Sequence, residues 1–144
     1  MSRAAVYDAL AGNDALNELG ITEDSVFANY SLDESPVTNG PFLILRWENE
    51  DRPVFSDPNQ SVVKNTRNLT VWAHIPAVLS TDFNRLDAIL NSVDDALVPM
   101  VHVAGEDGEV VTSVRAFGRS SDFKDEGFKT ISRNATYQIL SRKG

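Results

Sequence analysis

Apolar residues recur along this chain with two different periods, and the changes of period mark its elements. From Val26 to Leu32 the period is two. Val26, Ala28, Tyr30 and Leu32 face one way and Phe27, Asn29 and Ser31 the other, as in a half-buried strand. Phe42-Leu43-Ile44-Leu45-Arg46-Trp47 is apolar on both faces, which fits a central strand covered on each side. Pro36 to Pro41 forms a turn region between these two strands, and a hairpin is the expected pairing. Alternation resumes from Lys64 to Ile75, with Leu69, Val71, Ala73 and Ile75 on one face and Thr70, Trp72 and His74 on the other, polar one. Pro76 ends that strand.

The period then lengthens. Phe83, Leu86, Leu90, Val93 and Leu97 are spaced 3-4-3-4 with Ile89 beside them, a single apolar stripe on a helix of about 17 residues. Ser80 or Thr81 is placed to cap its start, Asp82 suits the positive end of its dipole, and Pro99 follows its end. A shorter stripe, Val6, Ala9 and Leu10, predicts a first helix capped by Ser2 and interrupted at Gly12-Asn13, with a further turn stopped by Gly20. Beyond the long helix, Met100–Ala104 and Glu109–Phe117 flank Gly105-Glu106-Asp107-Gly108, a hairpin signal. A polar tip from Ser120 to Gly127 leads into a last strand, Phe128–Leu140, whose inward set includes Ile131, Ala135, Tyr137 and Ile139. These elements predict one α+β domain over residues 1–144. Its sheet is mainly antiparallel, with a short N-terminal helix and one long amphipathic helix packed on it.

Composition leaves that picture standing and narrows the functions. At 144 residues, with 42% hydrophobic and 24% charged residues, the chain is ordinary for a globular domain. No apolar run reaches the ~20 residues of a membrane span, and the acid-bearing MSRAAVYDALAGNDAL does not read as a signal peptide. With no cysteine there is no disulfide, thiolate zinc site or cysteine nucleophile, and cytoplasmic folding is the expectation. The net charge of −8 is unevenly placed: residues 1–60 hold eleven Asp/Glu and three Lys/Arg, whereas residues 110–144 hold seven Lys/Arg and three Asp/Glu. Overall acidity argues against affinity for a nucleic-acid backbone, which requires clustered cations. Two readings of the asymmetry stand: scatter on a solvated surface, or association of the acidic part of one copy with the basic part of another.

Catalytic patterns are weak. His74 and His102 are the only histidines and lack further ligands at zinc-site spacing. Asp87, Asp94 and Asp95 read as the solvated side of the long helix, opposite its apolar stripe, rather than as an acid–base pair. Gly105–Gly108 lacks the Lys-Ser/Thr pair and following helix of a phosphate loop, and no serine sits in a Gly-x-Ser-x-Gly elbow. Trp47 and Trp72 lie in strands without interleaved cations, which favours packing over base stacking. A non-enzymatic protein is expected.

The order of segments resembles the tail terminator family of long-tailed (siphovirus-type) bacteriophages, particularly those of phages infecting actinobacteria. The resemblance is carried by SRAAVYDALAGNDAL, PFLILRWEN, DRPVFSDPN, TRNLTVWAHIP, DFNRLDAILNSVDDAL and TSVRAFGRSSDFKDEGFKTISRNATYQIL, which span nearly the whole chain. Its specificity lies in their order and in VWAHIP followed one turn later by the helix. The resemblance implies an α+β fold, no cofactor, and a hexameric ring that caps the tail tube and ends its polymerisation. Its implied partners are further copies of itself, the major tail tube protein and a neck protein of the head. Genomic DNA passes through the lumen without specific binding, and no membrane is involved. The implied location is the head–tail interface of the virion, after assembly in the host cytoplasm. A head-side stopper or adaptor of the same connector is the nearest alternative, since neck and tube proteins share related folds. From other classes, a monomeric protein-binding adaptor would show one concave hydrophobic groove, and a small-molecule-binding or hydrolytic domain a pocket of convergent polar groups.

Two long polar connections are the expected contact regions: the loop from Asp51 to Val62 and the tip from Ser120 to Phe128. Phe55, Phe123 and Phe128 are aromatics that a solvated loop does not need, with Arg52, Arg119 and Lys124 as charged neighbours that fix orientation. Two other roles stay open. The aromatics could fold back on their own subunit, or a loop could face the lumen, where Asp51 and Asp57 would keep DNA from sticking.

Overall fold

A computed structural model describes residues 3–27, 40–51 and 64–143 of the chain. Helix α1 (Arg3–Ala11) buries Ala5, Val6 and Leu10, and α2 (Asp14–Glu18) buries Leu16. The break between them is fixed by Asn13, whose side-chain oxygen accepts the Leu16 backbone N–H at 3.0 Å. Gly20, at φ +94°, ends this part in a left-handed conformation that only glycine adopts without strain. The expected cap Ser2 lies outside the described residues. After a 3₁₀ turn (Glu23–Ser25) come β1 (Val26–Phe27), β2 (Phe42–Asp51) and β3 (Lys64–Pro76). Helix α3 (Phe83–Leu97) follows, then β4 (Val103–Ala104), β5 (Glu109–Arg119), β6 (Phe123–Asp125) and β7 (Thr130–Lys143).

Among the described residues one sheet runs β1-β2-β3-β7-β5-β4, with β6 paired to β7 beyond the end of β5. All pairings are antiparallel except β1 with β2. The expected hairpin between those two is therefore corrected: Val26 lies beside Leu43 and Phe27 beside Ile44, in parallel. Alternation specifies a strand but not its direction, and residues 28–41 supply the dozen or more positions that a parallel return requires. The hairpin at Gly105–Gly108 is present, with Gly108 at φ +80° and Gly105 N–H donating to the Glu109 carbonyl at 2.8 Å.

The helices cover one face of the sheet. Leu86, Ile89, Leu90, Val93 and Leu97 of α3 and Val6 and Leu10 of α1 form a core with Leu43, Leu45, Leu69, Val71, Ala73, Ile75, Ile131, Ala135, Tyr137 and Ile139. Ser80 and Thr81 do not cap α3. The cap is Asp82, whose carboxylate accepts the Asn84 N–H at 2.9 Å, while Ser80 Oγ accepts the N–H of Asp82. Asp87 and Asp94 are corrected in part: their side chains stay 41% and 32% exposed, but each is tied to the sheet. Each lies one position after an apolar residue, Leu86 and Val93, and so sits on the flank of the stripe within reach of the sheet. Arg133 of β7 donates to Asp87; Arg119 of β5 donates to Asp94 and to Asn91, each at 2.7 Å; Tyr137 donates to the second oxygen of Asp94. Burial first, and the Asp94 hydrogen bond second, push the Tyr137 phenol above its usual range. Asp95 is exposed.

Candidate functional site: an aromatic groove on the open face of the sheet

Every second residue of the strands points away from the helices. Registry places Phe42, His74 and Ser132 side by side in one such row, and Ile44, Trp72 and Asn134 in the next. Short β6 extends the first row with Phe123 opposite Ser132 and adds Asp125 opposite Thr130. The row that alternation made polar is in fact roofed. Phe42, Ile44 and His74 are buried, although Phe42, Ile44 and His74 stand apart from the helix-side core. The rings build the roof: Phe42 stacks on His74 at 4.8 Å between centroids, and Phe128 meets both edge-on at 5.9 and 5.2 Å. Phe27 closes on Phe42 at 5.9 Å, and Trp72 lies 5.9 Å from Phe123.

His74 is the polar centre of this cluster. Its Nδ1 lies 2.8 Å from the Thr130 hydroxyl, and with 2% of the residue exposed the charged imidazolium is disfavoured. Burial pulls its pKa down to about 4, against the smaller opposing pull of Asp125. The imidazole is thus neutral near pH 7, one nitrogen committed to Thr130. Among the described residues no three His, Asp or Glu side chains gather as a metal-ligand set, and no helix is long and apolar enough to cross a membrane. Beside the cluster the surface opens into a groove of about 420 Å³ lined by Ile44, Arg46, Trp72, His74, Asp125 and Phe128. Among the described residues it has an apolar floor with one cation, Arg46, and one carboxylate, Asp125, on its walls. Such a surface binds by burial and orients by charge.

The described residues thus present a sheet backed by helices on one face and carrying, among those residues, a partly filled aromatic groove on the other. Among solved structures, a chain in the virion of a native gene transfer agent (GTA) particle is similar to this one, with a TM-score of 0.69 and 17% sequence identity. The likeness covers 97% of this chain and 93% of that one. The two share a fold. No protein-family model and no curated protein matches the chain.

Of the contact residues expected from sequence, the structure brings Phe128 into the groove, half-buried over His74, and sets Phe123, 41% exposed, against Trp72 in the adjoining aromatic cluster. Lys124 is exposed on β6. Arg119 points the other way and is held by Asp94 and Asn91, so it clamps α3 to the sheet. Arg52 and Phe55, and the loop that carries them, lie outside the described residues. Sequence reasoning missed Ile44, Arg46, Trp72, His74 and Asp125 as groove residues. The signal was present in Phe42–Trp47, apolar on both faces and so in need of a cover on each side.

Proposed function

We propose that the chain is a structural virion protein, and specifically a tail terminator of a long-tailed phage-like particle. The observation that carries this reading is a fold shared over nearly the full length of both chains with a component of a gene transfer agent virion. The order of segments described above adds the finer identity. In this reading the chain performs no catalysis. Six copies form a ring on the last layer of tail-tube subunits, end tube growth and present the surface to which the neck of the DNA-filled head attaches, and the genome leaves through the lumen. The open sheet face and the tip at Phe123–Phe128 supply contact surface between copies or with the tube, and Phe55 and Arg52 are assigned the same role.

The test is made in particles. Deleting the gene for this chain should give tails of uncontrolled length, or tails detached from filled heads, and native mass spectrometry should find six copies of the purified protein at high concentration. Finished tails of normal length joined to heads in the absence of the chain would end the terminator reading. The groove also suits a monomeric protein-binding adaptor. A protein that stays monomeric both in solution and in purified particles would decide for that second reading.

A further inference from the structure

We infer that the groove on the open sheet face receives the α2 corner of a neighbouring copy, with Leu19 entering between Trp72 and Phe128 and Glu18 facing Arg46. The inference rests on the ring reading and names its contact. Its first support is charge complementarity between two opposite sides of one molecule. Residues 4–27 carry Asp8, Asp14, Glu18, Glu23 and Asp24 and no lysine or arginine, and all five carboxylates are exposed on the helix layer. The open face of the sheet instead presents Arg46, Arg115 and Arg142 at outward positions of β2, β5 and β7. Arg46 is the cation of the groove itself; its side chain is 64% exposed and its contact with Glu48, at 3.6 Å, is a solvent-screened surface pair.

The second support is apolar. Leu19 is an exposed large hydrophobic residue, at 37%, and it sits inside the acidic surface, next to Glu18 and directly after α2. An aliphatic side chain flanked by a carboxylate matches a groove with an indole and a phenyl on its floor and a guanidinium on its rim. Asp125, on the opposite wall, accepts the Phe128 N–H at 3.0 Å and would repel Glu18, so it sets the direction in which the corner can enter. Because the two surfaces differ, the contact is head-to-tail, and repeating it generates a ring when its rotation closes.

The experiment uses charge exchange in the full-length chain, read by native mass spectrometry across a concentration series. Arg46→Glu and Glu18→Arg, both at exposed positions, should each raise the dissociation constant of the assembly roughly tenfold or more, and the double variant should recover most of the loss. The chain has no cysteine, so a mixture of Glu18→Cys and Arg46→Cys proteins treated with a short bifunctional thiol cross-linker should link the two variants to each other. Unaltered assembly of both charge variants, with no cross-link, overturns the contact and leaves the ring reading intact. A wild-type chain that never associates, even in particles, overturns both. Thermal melts at wild-type temperature keep a loss of assembly from being read as a loss of fold.

Discussion

Two side chains in this molecule have their chemistry set by neighbours from distant parts of the chain. His74 is held neutral by the cover of Phe42 and Phe128 and by its bond to Thr130. Its folded pKa, about 4, lies below the ordinary value of 6.5, so the unfolded chain binds the proton more readily. Stability from this source is complete above pH 6.5, declines as pH falls through that value, and is gone at about pH 4. The loss amounts to at most about 3 kcal/mol. Denaturant melts between pH 7 and 4 should show this slope, and His74→Phe, which stays apolar and aromatic, should remove its share of it. Asp94 is the second case. It accepts from both Arg119 and Tyr137, so Asp94→Ala should cost about 1–3 kcal/mol by stranding partly buried donors, whereas Asp95→Ala, on the exposed side of the same helix, should stay within about 0.5 kcal/mol of wild type. Equal melting temperatures for the two variants would contradict the clamp.

Among the elements, α3 illustrates what a sequence can carry by itself. One stripe at a single period gives its place in the chain, its approximate length and its buried face, and Leu90, fully buried at the centre of that stripe, makes the prediction concrete. Leu90→Ala should lower stability by about 2–5 kcal/mol in urea melts, and Leu90→Asp should leave too little folded protein to measure. The β5–β7 meander and the inward positions of β3 were legible for the same reason. What was hidden depended on pairing between remote segments. The direction of β1 follows from its neighbour β2, not from its own residues. With three residues, β6 is too short for any period, and its sequence reads as part of a polar tip. Trp72 and His74 read as a polar face because nothing within β3 shows that Phe42, Phe123 and Phe128 arrive above them from β2, β6 and the turn before β7.

For the whole molecule, an acidic helix layer and a cation-bearing sheet face make a particle with two unlike sides, and the function proposed for it is an assembly function. If the proposed function holds, particles carrying Phe123→Ser should show tails that are overlong or unattached while the isolated variant melts near wild type, since Phe123 is 41% exposed at the rim of the cluster; normal infectious particles would remove this tip from the contact. The proposed assembly role implies free subunits before use, and among the described residues the sheet has an edge where their encounter would be hazardous. Beyond Val111, where the short partner β4 ends, β5 has no further strand partner on that edge among the described residues and carries an exposed Phe117. That edge is broken by irregular registry between Val111 and Ser113 and again between Ala116 and Gly118, the latter with Gly118 at φ +145°. A bent edge is a poor template for strand addition. The expected consequence of the two bulges is a lower tendency of neighbouring copies to join through backbone ladders. Straightening the second one by deleting Phe117 should leave the fold recognisable by circular dichroism but shorten the lag of thioflavin-positive aggregation at concentrations where the native chain stays clear.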